Sequence, residues 1–251
     1  MNTPGSFPFA VLNDLHYMDE LDRPWLEGMV RQVNAIDGLE LVLVLGDLAE
    51  LGTREELLAA RDILTQLRVP YYTVPGNHDG PPGRPTGLGP AGLTTYNELF
   101  PNRRNYTFTH KNWQFLALDT TDGSAYRHLP LTAETRAYAA HAAATLDPQL
   151  PTILFTHFPL NPSIKYALSD GYDLLDILSP LNLRIVFSGH YHALTETPAP
   201  LLANRPHLML LTNRCASRTR ELEDTANQRG YFRCMANADG SVEYAFTQFT
   251  L

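Results

Sequence analysis

The sequence predicts an α/β fold built on parallel βαβ units, and three observations predict it. Short runs dense in Val, Leu, Ile and Phe alternate with stretches of helical period. The joints between them are short, as in consecutive strand–helix–strand units. No linker, internal repeat or compositional break divides the 251 residues, so one domain over residues 1–251 is expected.

The elements run in order along the chain. "FPFAVLND" (7–14) is a buried strand, and Pro24 to Ile36 a helix with proline in its first turn. "LELVLVLGD" (39–47) is a second strand. Thr53 opens a helix to about Leu67, with Glu56 three residues on completing a capping box. "YYTVP" (71–75) is the third strand. The stretch from Gly80 to Gly92, "GPPGRPTGLGPAG", carries too many breakers for regular structure. "NYTFTH" and "NWQFLALDT" form a pair of strands turning at His110-Lys111-Asn112, and Thr132 to Leu146 is an Ala-rich helix. "PTILFTH" (151–157) and "LRIVFSGH" (183–190) are buried strands with a helix, "DLLDILS", between them. The tail, "HLMLLTN", "GYFRCMA" and "VEYAFTQF", reads as antiparallel strands.

Composition removes several function classes. With 27 acidic and 19 basic side chains the net charge is -8, which repels a polyanion and argues against general nucleic-acid binding. No apolar run reaches the roughly 18 residues of a membrane span. The start, "MNTPGSFPFA", lacks a basic and then apolar leader, so a cytoplasmic protein is expected. Two cysteines, Cys215 and Cys234, are too few for a disulfide framework and read as buried thiols.

The residues just beyond each core strand are more telling. "FAVLND" leads to Asp14-x-His16, and "LVLVLGD" ends on Gly46-Asp47. "YYTVP" leads to Gly76-Asn77-His78-Asp79, "TILFTH" ends on His157, and "RIVFSG" leads to His190-x-His192. Five apolar runs thus end in metal-binding groups, and five of the nine histidines lie there. Ligands gather at the carboxyl ends of strands in open α/β sheets, so these ends should converge. An aspartate after one strand is an ordinary turn former, whereas five such ends together form a constellation. Imidazole with carboxylate and amide oxygen suits Mn, Fe, Zn or Co. Two divalent ions on two carboxylates leave a positive centre that attracts phosphate, and two ions about 3.5–4 Å apart can activate a water between them. A metallo-β-lactamase-like His-x-His-x-Asp-His run is absent.

These blocks, in this order over residues 14 to 192, resemble the five signature blocks of the calcineurin-like metallophosphoesterases. The resemblance implies a four-layer αββα sandwich of two mixed β-sheets flanked by helices. It implies Asp14, His16 and His192 as ligands of a first ion, Asp47 as a bridge, and Asn77, His157 and His190 as ligands of a second. His78 would contact the phosphate and protonate the leaving oxygen, and Glu50 would orient that histidine. The layout is similar to small bacterial class III cyclic-nucleotide phosphodiesterases, implying hydrolysis of a small phosphodiester by a metal-activated hydroxide. Leu51 stands where the protein Ser/Thr phosphatases carry arginine. The alternatives are a phosphomonoesterase or nucleotide phosphatase of the same fold, or a non-catalytic binding scaffold. Tyr17, Tyr191, Lys165, Tyr166, Arg103 and Arg104 are candidates for the pocket wall, and Asp119 for support of a histidine ligand. His110, His128, His141 and His207 receive no role. Neither substrate-binding residues nor an oligomeric state can be assigned from the sequence.

Overall fold

The computed structural model describes residues 3–127, 129–198, 209–212 and 229–250. Eleven strands occur among them, in two mixed sheets. The first sheet runs β11-β10-β1-β2-β3, with β1 (Phe7–Leu12), β2 (Leu41–Val44) and β3 (Tyr71–Thr73) parallel and β10 (Gly230–Ala236) and β11 (Val242–Gln248) antiparallel. The second runs β4-β5-β6-β7-β9-β8, with β5 (Trp113–Leu118), β6 (Pro151–Thr156), β7 (Asn182–Ser188) and β9 (Met209–Thr212) parallel. Strands β4 (Tyr106–His110) and β8 (Thr195–Pro198) pair antiparallel at its two edges.

Alternation along each strand explains the layering, because successive side chains leave a strand on opposite faces. Phe7, Phe9 and Val11 meet Trp113, Phe115, Ile153, Phe155, Ile185 and Phe187 in a core between the sheets. The Phe9 ring lies edge-on to Phe115 and to Phe187, 6.4 and 6.0 Å away. Ala10, Leu12, Val42 and Val44 face outward under α1 (Arg23–Asn34) and α2 (Arg54–Leu64). On the far side Leu116, Leu118, Leu154 and Val186 pack under α4 (Ala133–Thr145) and α5 (Gly171–Ile177). The order is helix, sheet, sheet, helix, as the resemblance implied.

Local signals held where the chemistry was specific. Thr53 and Glu56 form the capping box that starts α2, and Lys111 and Asn112 make the β4–β5 turn with φ of 46° and 63°. Two expectations are corrected. The Gly/Pro loop ends in a 3₁₀ turn, Gly89–Leu93, feeding α3 (Thr94–Leu99), since Pro90 suits a first helical turn. The strand within "HLMLLTN" runs parallel to β7, because the second sheet continues its parallel order there. His128, His207 and Cys215 lie outside the described residues. Cys234 is a free, buried thiol facing the inter-sheet core.

Candidate metal centre

All five sequence blocks sit at carboxyl ends of parallel strands: three come after β1, β2 and β3, and two after β6 and β7. Hydrogen bonds tie these ends together across the sandwich. His157 Nδ1 donates to the Leu45 carbonyl at 2.8 Å, and the His190 amide donates to the Asp14 carboxylate at 2.9 Å. Within the first sheet Asp14 N donates to Gly46 O and His16 N to Asp47 O.

Two of the three groups of candidate ligating atoms among the described residues share Asp47, the third being His16, Glu50 and His78. In the first, His16 Nε2 lies 2.9 Å from His192 Nε2, 3.4 Å from Asp47 Oδ2 and 3.9 Å from Asp14 Oδ1. His192 Nε2 is 3.4 Å from Asp14 Oδ1. In the second, His157 Nε2 lies 3.3 Å from Asp47 Oδ2 and 3.1 Å from Asn77 Oδ1, with His190 alongside.

The groups fit metal ions on the protein's own terms. Asp47 Oδ2 is buried and accepts no hydrogen bond, while Oδ1 accepts from His78 N at 2.8 Å. A buried carboxylate oxygen without a hydrogen bond carries a desolvation penalty that a cation beside it offsets. The far nitrogen of each of three histidines is already committed: His16 Nδ1 to Glu50 Oε2 (2.8 Å), His157 Nδ1 to Leu45 O, and His190 Nε2 to Tyr126 O (2.8 Å). Such bonds fix the proton on the far nitrogen, so that each ring, once neutral, offers the lone pair of its other nitrogen inward.

Backbone strain concentrates at the same place. Nine non-glycine residues among those described have positive φ, and Asp14 (49°), His16 (46°), Asp47 (48°), His190 (67°) and His192 (58°) are five of them. Each such conformation costs an L-residue on the order of 1–2 kcal/mol. Clustering of this kind marks a functional site.

The charges are tightly linked. Burial alone would raise Asp14 and Asp47, yet the imidazoles of His192 and His157 respectively lead the opposing forces that hold both below the usual carboxylate range. Burial opposes the charge on His157, but the Asp47 carboxylate outweighs it and lifts His157 to about 9. Burial lowers His16, and it drives His190 down to about 3 with help from the neighbouring His157.

Glu50 lies beside His78 and holds it through its main chain. Its carboxylate is hydrogen-bonded to His16, and its main-chain carbonyl takes the bond from His78 Nδ1 at 2.7 Å. The chain leaves β2 in a turn that lays residue 50 beside both rings. Other candidates are corrected. Asp119 bonds no histidine among the described residues: Arg104 and Thr121 hold it, at 2.7 Å each. Arg103 is stacked between Tyr72 and Tyr106, and Tyr17 donates to Glu20. Tyr166 and Tyr191 do line the cleft above the two groups, which holds about 460 Å³.

Two residues carry more than the sequence assigned them. Asp79 is fully buried and accepts from Leu48 N (2.7 Å), Ala49 N (3.1 Å) and Gly76 N (2.7 Å), locking the Asp47 loop to the Asn77 loop. Burial, and then Asp47, push it up to about 7. Asp79→Asn places an amide NH₂ against a backbone N–H. A loss of about 2 kcal/mol, roughly 4–8 °C in Tm, is expected in thermal unfolding, and an unchanged Tm would refute the locking role. Arg84, inside the breaker-rich loop, is also buried and donates to the Gly123 carbonyl. Nothing in its sequence context signals burial.

Residues 7–194 match the family described as calcineurin-like phosphoesterase, and the chain belongs to that family. Members use divalent metals in a dinuclear centre. Among curated relatives, the chain is 28% identical over 183 residues to the glycerophosphodiester phosphodiesterase GpdQ of Enterobacter lignolyticus, covering 67% of this chain and 62% of that protein. It is 26% identical over 164 residues to a probable cyclic nucleotide phosphodiesterase of Synechococcus sp., covering 61% and 58%. The chain thus spans about three fifths of each relative. Among solved structures, a dimetal phosphatase from Danio rerio aligns with a TM-score of 0.64 at 15% identity over 98% of this chain and 100% of that one. A purple acid phosphatase from yellow lupin aligns with 0.65 at 15%, over 98% and 52%. These two share the fold. No helix among the described residues is long and apolar enough to cross a membrane.

Proposed function

We propose that the chain is a dinuclear metal-dependent phosphoester hydrolase that prefers a small phosphodiester. The observation that carries this reading is the pair of donor groups joined through Asp47 beneath an open cleft. Asp14, His16, Asp47 and His192 would hold one ion, and Asp47, Asn77, His157 and His190 the other, from among Mn, Fe, Zn and Co. Ions there supply Lewis acidity, an activated water and a clamp on the phosphoryl oxygens. The protein's own residues do the rest. Glu50 keeps His16 in one tautomer, and the Glu50 carbonyl keeps the proton on His78 Nδ1. His78 Nε2 is then the atom that delivers a proton to the leaving oxygen. Neither lysine nor arginine lines the cleft among the described residues. A diester, with one negative charge, suits that wall better than a dianionic monoester, and both curated relatives are named as phosphodiesterases.

The test is hydrolysis of bis-p-nitrophenyl phosphate and p-nitrophenyl phosphate by chelator-stripped protein, before and after Mn²⁺. Metal-restored activity with the diester ahead is the expected result. A monoester preference would overturn the substrate class, and no activity with any divalent ion would overturn the hydrolase. His78→Ala should retain metal and slow esters of poor leaving groups most, by about 10²–10⁴-fold. An equal loss for good and poor leaving groups would remove His78 as the acid.

Metal uptake should also release protons. A ligand imidazole must be neutral, and His157 carries a proton up to about 9 in the metal-free protein. Its folded value lies above 6.5, so the stability it lends is present below 6.5 and fades as pH rises through about 9. Apparent Mn²⁺ affinity should climb about tenfold per pH unit over that window and flatten above it. Calorimetry in buffers of differing ionisation enthalpy reads the proton count directly.

A further inference from the structure

We infer that Tyr126 and Tyr166 form an aromatic clamp that selects phosphodiesters bearing a planar ring, of nucleobase type, over aliphatic ones. This rests on the diesterase reading above. The cleft of about 460 Å³ is of small-ligand size. Beyond the donor groups, Glu50, His78 and two glycines, its wall is built from Leu51, Pro82, Ser124, Tyr126, Tyr166 and Tyr191. The three tyrosines give that part of the wall a surface suited to the flat face of a ring.

The two tyrosines stand on the His190 side of the cleft. Their ring centroids lie 6.0 Å apart at 62°, an edge contact, so a planar ring would lie against the pair and not between them, and the Tyr166 ring is 6.0 Å from His190. Lys165 Nζ sits over the Tyr166 ring at 4.6 Å and the Arg127 guanidinium over Tyr126 at 5.1 Å. These cations steady the rings without themselves lining the cleft. Tyr126 is nearly half exposed, at 48%, so part of its ring is open to a ligand. Tyr166 adopts φ of 68°, a left-handed backbone that a bulky residue rarely takes. Strain held at a cleft wall is the mark of a positioned side chain.

The clamp is also preorganised. The Tyr126 carbonyl accepts from His190 Nε2, so the stretch of loop that carries the ring is fixed to the metal centre itself. Just before it, Ser124 N and Oγ donate to the Arg84 carbonyl at 2.9 and 3.2 Å, and Gly87 N donates to Asp122 at 2.6 Å. Buried Arg84 donates back to Gly123. The Gly/Pro loop is thereby laced to the Tyr126 loop, and the breaker-rich stretch braces the clamp.

The experiment compares the wild type with Tyr126→Ala, Tyr166→Ala and the corresponding Phe variants. In Mn²⁺-loaded protein, kcat/KM is measured for a 3′,5′-cyclic purine nucleotide and for glycerophosphoethanolamine. The aromatic-to-aliphatic ratio should fall about tenfold in each Ala variant, from loss of one stacking partner, and persist in Phe. An unchanged ratio, including a parallel loss on both diesters, overturns the clamp. Calorimetric affinities for a purine nucleoside monophosphate and for inorganic phosphate give a second ratio that needs no turnover. It should fall about tenfold as well, and constancy overturns the clamp. Absence of diester hydrolysis with this binding ratio still sensitive to Tyr166 would defeat the diesterase reading alone.

Discussion

Asp47→Asn is expected to lower turnover by on the order of 10³-fold or more and to deplete bound metal, while leaving the fold intact. The replacement is isosteric and keeps an oxygen for the His78 amide, which donates to Asp47 Oδ1. It removes the charge that both donor groups share. Electrostatics supplies a second readout in the metal-free protein. His157 reaches about 9 because Asp47 outweighs its burial, so in the variant its titration should drop markedly. Metal analysis, kinetics and histidine NMR check the three parts. Two ions retained at full occupancy would sink the bridging role.

Gly76→Ala should do comparable damage, about 10²-fold in activity, without removing any donor. A Cβ at Gly76 would fall on the Asp47 carboxylate and its backbone nitrogen. Backbone offers no room to yield, so the Asp47 side chain must leave its place. The cost in stability should be about 1–3 kcal/mol, as for overpacking elsewhere. Gly87→Ala makes a fair comparison. Its φ of 81° is strained for alanine, but a Cβ there meets nothing within 4 Å. It should lose stability by roughly 1 kcal/mol and keep its metal. Equal metal loss in both variants would show that backbone strain, and not displacement of Asp47, is responsible.

The legible part of this site was whatever lay directly after a strand. Alternating apolar runs placed β1, β2, β6 and β7, and polarity at their ends exposed Asp14, Asp47, His157 and His190, because strand direction carries the next residue to the sheet's rim. The illegible part depended on how turns fold back. That Glu50 presents its carboxylate to His16 and its carbonyl to His78 is decided by turn geometry, which the residue types do not encode. Tyr126 offered no signal, since its loop is placed by contacts with Arg84, Gly123 and His190, two of them remote in sequence. Asp119 and Arg104 misled for a related reason: one ends a strand and the other leaves a loop, yet they satisfy each other.

Each donor group draws from both sheets. His16 and Asp14 from the first stand with His192 from the second, and Asp47 and Asn77 from the first stand with His157 and His190. An ion held by either group is therefore also a rivet across the seam of the sandwich, and its binding free energy is added to the docking of one sheet on the other. At a hundredfold excess over Kd that linkage is worth about 2.7 kcal/mol per site. Loss of the ions would unpin one end of the seam, and the two halves of the molecule would lean on the Phe9, Phe115 and Phe187 core to stay together.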